Sequence, residues 1–167
     1  PLAQGAKVAI SSRQNSSNLR SLLEIIQTEQ ITVLDTVASV WNYLLISLAE
    51  IEQERIDSAL RLLIFSGGLL TSQLLQQVRS KFPQPPEIVN IYGQTETIGV
   101  CAYPIPDDFD KHDGYAPVGS PYPHNQLYLL NDRLEPVAAS ATGELYIAGT
   151  SLARGYLNNP QLTDRKF

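Results

Sequence analysis

Between Ala6 and Tyr92, short apolar runs alternate with longer segments in which apolar residues return every three or four positions. The runs are "AKVAI" (6–10), "ITVL" (31–34), "RLLIFS" (61–66) and "IVNIY" (88–92), each bounded by polar or turn residues as a buried strand is. The periodic segments predict helices. In "NLRSLLEIIQTEQ" the residues Leu19, Leu22, Leu23 and Ile26 recur at helical spacing behind a Ser17 or Asn18 cap, and "SVWNYLLISLAEIEQERI" predicts a second helix reaching Ile56. In "TSQLLQQVRSKF" the residues Leu74, Leu75, Val78 and Phe82 line one face behind a Thr71 or Ser72 cap. Pro83 then stops the helix, because it has no N–H to continue the ladder.

Strand and helix in alternation predict an α/β fold, a mostly parallel sheet with crossover helices over residues 6 to 92. Ligands of such sheets collect outside the carboxyl ends of the strands. Those ends carry Asp35, the Ser66-Gly67-Gly68 turn and the segment Tyr92-Gly93-Gln94-Thr95-Glu96. After Tyr103 the pattern changes. "PIPDDFDKHDGYAPVGSPYPHN" is a loop rich in Pro, Asp and Gly, and its charge run Asp107 to Asp113 reads as a solvated surface. "QLYLL", the turn "NDR" and "LEPV", and then "TGELYIAG", predict an antiparallel β addition, followed by a connector through Pro160.

Composition narrows the partners. The 167 residues are enough for one ordinary domain that buries roughly 70% of its unfolded surface. Apolar runs such as Trp41 to Leu48 fall well short of the roughly 20 residues a membrane helix needs, so no membrane span is expected. Net charge is −5 and the 12 basic residues are scattered, which argues against a nucleic-acid partner. A lone Cys101 can form neither an internal disulfide nor a Cys-rich zinc site, and a reducing, cytoplasmic compartment is the expectation. Both ends read as cuts through a longer protein.

The strand-end residues have chemistry in common. Gly67 and Gly68 lack a Cβ, so a flat ligand can lie against their backbone, although a tight turn alone would also require glycine. Tyr92 offers an aromatic face and Asn90 an amide that donates and accepts; a core tyrosine and a strand asparagine bonded to backbone are the plain alternatives. Thr95 brings a hydroxyl for a phosphoryl or carboxyl oxygen, and Glu96 a hard oxygen ligand of the kind Mg²⁺ shares with phosphates and water. Together they predict a nucleotide triphosphate site. Against it, Thr95 and Glu96 would serve equally to cap a helix beginning near Thr97.

These residues also match a family. "NIYGQTE" is similar to the Asn-x-Tyr-Gly-x-Thr-Glu motif of AMP-forming adenylating enzymes, and "GELYIAGTSLARGYLNNPQLT" resembles their Gly-Glu-Leu-x-Ile-x-Gly-x-x-Leu-Ala-Arg-Gly-Tyr motif. With "PVGSP" and "YLLNDRLEPV" between them, the resemblance extends across essentially the whole chain and points to the adenylation domain of non-ribosomal peptide synthetases. It implies that residues 1–103 are the α/β part of the large N-terminal adenylation subdomain and 104–167 the loop and β-hairpin part of the same domain. It implies that Tyr92 packs on adenine, Asn90 bonds its amino edge, Gly67 and Gly68 border the ring, Thr95 contacts the α-phosphate and acyl group, and Glu96 holds Mg²⁺. The reaction implied is activation of an amino acid or related carboxylic acid by ATP, then transfer to a phosphopantetheine thiol on a peptidyl carrier domain that neighbours a condensation domain. Two positions depart from the pattern: Gln94 replaces the proline usual in this subgroup, and Leu69 stands where many relatives have a glutamate.

By the same correspondence Asp35, Ile64, Ser66, Ile91, Gly99 and Val100 line the substrate side-chain pocket. Asp35 is the unusual one. A buried lone carboxylate costs several kcal/mol, on the order expected for any unpaired interior charge, so it either meets a donor on the substrate or caps the following helix. Gly99 leaves room for a sizeable side chain. The glycines and alternating Leu145 and Ile147 of the second motif read as strand and turns, and Arg154 as non-catalytic. The phosphate loop, the ribose-binding aspartate, the lysine subdomain and the amine-binding aspartate of the family have no counterpart here, so the fragment alone is expected to be inactive. An acyl-CoA or aryl-acid ligase, favoured by Gln94, is the alternative enzyme, and a non-catalytic nucleotide-binding or docking module the alternative of another kind.

Overall fold

The computed structural model describes residues 2–10, 19–50, 55–109 and 114–167. The expected Ser17 or Asn18 cap, residues 51–54 of the expected second helix and residues 110–113 of the charge run lie outside the described residues. Two compact units emerge, Pro1–Asn90 with Tyr103–Pro117, and Ile91–Ala102 with Val118–Phe167.

In the first unit α1 (Leu19–Thr28) buries Leu23 and Ile26, two of the four residues its apolar spacing singles out, and leaves Leu22 half-buried. Strands β1 (Val33–Thr36) and β2 (Leu62–Ser66) pair in parallel, with Val33 opposite Leu62 and Asp35 opposite Ile64. Between them α2 (Ala38–Glu50) makes the crossover that a parallel pair requires, and turns Ala38, Trp41, Leu44 and Leu48 inward. The second crossover, α3 (Ser72–Ser80), starts where Thr71 accepts a hydrogen bond from the Leu74 N–H at 3.1 Å, and buries Leu74, Leu75 and Val78. These faces meet Leu63, Phe65, Phe82 and Ile88 in one core.

Strand β3 (Glu87–Gln94) follows, and β4 (Ile98–Pro104) returns after only Thr95, Glu96 and Thr97, which makes the pair an antiparallel hairpin. A two-residue β5 (Ser120–Pro121) completes a sheet of order β1-β2-β3-β4-β5. In the second unit β6 (Asn125–Leu130) and β7 (Glu144–Gly149) form a separate antiparallel pair, Leu127 opposite Ile147, and α4 (Pro160–Lys166) closes the chain. The mixed, mostly parallel α/β sheet with an antiparallel addition is the architecture expected.

Several elements differ from the sequence reading. "AKVAI" is irregular, with Val8 50% and Ile10 91% exposed, because strand propensity expresses itself only against a paired, half-buried surface. The second helix does not continue to Ile56: residues 55–61 are extended or irregular, and Ile56 enters the core with its N–H bonded to the Lys81 carbonyl at 2.6 Å. No helix begins near Thr97, since β4 occupies that position. "LEPV" returns toward β6 only as an isolated bridge from Pro136 to Leu130, and the true partner of β6 is β7. Where a connector was expected, Asn159 accepts from the Leu162 N–H at 3.1 Å and Pro160 occupies the first turn of α4.

Candidate functional site

In the first unit, strand alternation and the parallel register put Asp35, Ile64 and Ser66 on one face, opposite the buried face of Leu63 and Phe65. The Ser66 hydroxyl donates to Asp35 Oδ1 at 2.6 Å. Asp35 is therefore neither the buried lone charge nor the helix cap considered above: it is exposed, and its carboxylate is taken by a hydroxyl from the neighbouring strand. Gly67 and Gly68 follow β2 with φ of 92° and 79°, a conformation that favours glycine, and a Cβ on either would meet nothing within 4 Å. The space above both is open. Asn90 is 8% exposed and its amide nitrogen donates to the Pro117 carbonyl at 2.9 Å, so it bonds backbone, tying β3 to the start of the "PVGSP" segment.

The second unit holds the β3–β4 turn. The Thr97 N–H donates to the Gln94 carbonyl at 3.0 Å, and Ile98 follows in the left-handed region with φ 56°. A tight turn closed by a left-handed residue is the common form of a three-residue hairpin loop, and glycine is the usual occupant of that last place. Gly93 is required for a different reason: a Cβ there would lie 1.7 Å from the Ile98 carbonyl oxygen. Thr95 is exposed at the tip and Glu96 is half-buried beside it. Of the residues in this unit that the resemblance assigns to the substrate pocket, Ile91 and Gly99 meet across the hairpin, where a Cβ on Gly99 would be 3.0 Å from the Ile91 methyl. The room that Gly99 leaves is thus partly filled by Ile91. Val100 has 0% exposure, and its carbonyl accepts from Tyr122 N–H at 2.9 Å and Asn125 Nδ2 at 3.4 Å. Tyr92 is half-buried.

A β-branched residue at φ 56° is strained, by about 1–2 kcal/mol. Ile98 is 79% exposed and has little packing to lose, so Ile98→Asn is expected to raise stability by about 1 kcal/mol, read as an increase in the urea midpoint. An unchanged or lower midpoint would show that the strain is not there.

Glu96 is held from a distance in sequence. Its carboxylate accepts a short hydrogen bond from the Tyr156 hydroxyl, and its backbone carbonyl accepts from the Ala153 N–H at 2.7 Å. The Tyr156 bond first, and then its own backbone N–H, keep the Glu96 carboxyl below the usual carboxylate range, so it is ionised at neutral pH. Reciprocally, the bond to Glu96 pushes the Tyr156 hydroxyl up. Neither Ala153 nor Tyr156 is among the residues the sequence singled out as functional. Their only signal is membership of the "LARGY" stretch, which reads as strand and turns. Arg154, between them, is exposed. Glu96, Gln94, Tyr146, Tyr156 and Lys166 border a cavity of about 570 Å³ within the second unit, a volume in the range of small-molecule sites.

Among the described residues no three His, Cys, Asp or Glu side chains converge to hold a metal, and no helix is long and apolar enough to cross a membrane. A cation bound at Glu96 would complete its coordination with ligand oxygens and water, which is how Mg²⁺ is held beside phosphates. The ionised Glu96 carboxylate fits that donor set.

Comparison with known proteins agrees with the motifs. Residues 1–157 match the family described as AMP-binding enzyme. The chain is 34% identical over 167 residues to a dimodular nonribosomal peptide synthase of Bacillus subtilis (strain 168), covering all of this chain and 7% of that one. Among solved structures it is similar to holo-AB3403, a four-domain nonribosomal peptide synthetase bound to AMP and glycine, with TM-score 0.78 and 29% identity over 95% of this chain and 11% of that chain. The N-terminal subdomain of Klebsiella oxytoca NpsA, in complex with 3-hydroxybenzoyl-AMSN, shares the fold at TM-score 0.72 and 24% identity, over 97% of this chain and 38% of that one. The chain thus spans a small part of the length of the curated relatives it matches. It belongs to the AMP-binding enzyme family, with nonribosomal peptide synthetases as its relatives there.

Proposed function

We propose that this chain is a segment of an adenylation domain that joins a carboxylic acid, in the first place an amino acid, to the α-phosphate of ATP. In that reaction a carboxylate oxygen forms a bond to the α-phosphorus, the bond to the bridging oxygen breaks, and pyrophosphate leaves. The acyl group then passes to a phosphopantetheine thiol on a carrier domain of the same assembly line, with a condensation domain as the further partner. A cytoplasmic setting suits such a partner set.

The observation that carries the reading is the Thr95-Glu96 turn, whose ionised carboxylate borders a cavity of about 570 Å³. At the tip of that turn Thr95 is exposed and free to turn its hydroxyl toward an α-phosphate or carboxyl oxygen, and Glu96 would hold Mg²⁺. The ion's part is to neutralise charge on the phosphates. Tyr92 takes the adenine face. Gly67 and Gly68, with open space above them, border the ring, and the Asn90 amide, already anchored through one N–H, keeps donor and acceptor capacity for the base edge. Catalysis in this scheme is positioning and electrostatic stabilisation, without a protein nucleophile. Asp35, Ile64, Ser66, Ile91, Gly99 and Val100 set the acid that is taken, the last of them by packing, since it has no exposed surface. The 167 residues alone are inactive in this proposal, because the family's phosphate loop and lysine have no counterpart in them.

One observation favours a second reading. Gln94 stands where peptide synthetases usually carry proline, and acyl-CoA and aryl-acid ligases of the superfamily also use Gln. ATP–pyrophosphate exchange by the full-length gene product, offered amino acids and aryl acids separately, distinguishes the two. Amino-acid-dependent exchange that falls at least about 100-fold in Glu96→Ala is the expected result, a loss of the size seen when a group stabilising phosphate charge is removed. Exchange with aryl acids alone would favour the second reading, and exchange that Glu96→Ala leaves intact would overturn the assignment of Glu96.

A further inference from the structure

The second motif contributes more than a strand and turns. Its Tyr156 reaches back 60 residues to the carboxylate of Glu96. Two contacts fix the tyrosine itself, and a third bond holds one of its partners. Its N–H donates to Thr163 Oγ1 at 2.9 Å, that hydroxyl donates to the Asn159 carbonyl at 3.0 Å, and its ring meets Phe167 edge-on with centroids 5.6 Å apart. The strand side of the same stretch is tied down by the Ser151 hydroxyl, which donates to Asn125 Oδ1 at 2.5 Å, while Asn125 Nδ2 bonds the Val100 carbonyl. The Glu96 backbone is secured separately by the Ala153 N–H. So the turn is already held without the hydroxyl, and what the hydroxyl adds is the direction of the carboxylate.

We propose that Tyr156 is a positioning residue, whose hydroxyl holds the Glu96 carboxylate in the rotamer that receives a nucleotide-bound divalent cation. The proposal rests on the reading of Glu96 given above. A glutamate in a hairpin turn has three side-chain torsions to immobilise when it binds a cation, and losing that freedom opposes binding. A charge-assisted O–H···O⁻ bond made beforehand removes much of that cost, and the neighbours that orient a metal-binding carboxylate matter to affinity about tenfold to 100-fold. A ring that served packing alone would need Phe167 and no hydroxyl.

The test uses the full-length protein and its Tyr156→Phe, Tyr156→Leu and Glu96→Gln variants. Binding of Mn²⁺ in the presence of ATP is followed by electron paramagnetic resonance, alongside thermal unfolding. Tyr156→Phe is expected to weaken Mn²⁺ half-saturation about tenfold with an unchanged Tm, Tyr156→Leu to lower Tm as well, and Tyr156→Phe to have no further effect once Glu96→Gln is present. Half-saturation within twofold of the parent in Tyr156→Phe, with Glu96→Gln clearly weakened, would overturn the positioning role and leave the Glu96 reading standing. Unchanged half-saturation in both variants would overturn both. A fall in Tm for Tyr156→Phe without a change in Mn²⁺ binding would make the hydroxyl structural and overturn the proposal.

Discussion

Gly93→Ala is expected to destabilise the β3–β4 hairpin by about 3 kcal/mol or more and to abolish nucleotide binding with it. The added methyl would sit 1.7 Å from the Ile98 carbonyl oxygen, 2.6 Å from its carbonyl carbon and 2.8 Å from the Gly99 Cα. All three are backbone atoms of the facing strand, so no side-chain rotation relieves the overlap. The strands must separate, and the turn that carries Thr95 and Glu96 loses its geometry. Urea unfolding of the variant measures the loss, and Gly99→Ala is the natural control: its methyl would meet a rotatable Ile91 side chain at 3.0 Å. A Gly93→Ala protein as stable as its parent would mean that the close approach is not present.

Trp41→Ala should be the most damaging single truncation in the first unit, by about 3–5 kcal/mol, measured from the unfolding midpoint. Trp41 is 1% exposed, lies on the inward face of α2 and packs against Phe82 with ring centroids 6.0 Å apart and planes inclined by 51°. Its indole nitrogen is buried with no hydrogen-bond partner among the described residues. An orphaned donor costs about 1–3 kcal/mol, so Trp41→Phe, which deletes it while keeping an aromatic ring, is expected to lose less than about 2 kcal/mol. A Phe variant as unstable as the Ala variant would show that the indole itself, and not the aromatic bulk that Phe keeps, holds the site together.

The elements read correctly from sequence are those whose evidence is local. The α3 helix carries its Thr71 cap, its inward Leu74, Leu75 and Val78 and its stop at Pro83 within a dozen or so neighbouring positions, and all of these were legible. The missed elements depended on neighbours elsewhere or on an atypical residue. A three-residue hairpin turn usually announces itself by glycine at its left-handed position; here Ile98 stands there, so β4 was hidden behind what looked like a helix cap. The "NDR" turn is real, with the Leu134 N–H on the Asn131 carbonyl at 2.9 Å, but turn chemistry does not say which distant strand completes the pair. Asn159 and Pro160 form a readable cap signature, but the 7-residue helix after them is too short for apolar periodicity to tell it from a connector.

Residue types and their spacing by themselves settled the alternating α/β architecture, the inward faces of the helices, and the presence of a hydroxyl and a carboxylate side by side at the end of β3. These follow from burial of apolar periodicity and from motif identity, both carried by neighbouring residues. Only the tertiary structure decided that Asp35 shares its charge with Ser66, that Asn90 spends an N–H on Pro117, and that Tyr156 grips Glu96. Such bonds join residues 27 to 60 positions apart, and hydrogen-bond partners at that range are chosen by how the chain packs, a property no short stretch contains.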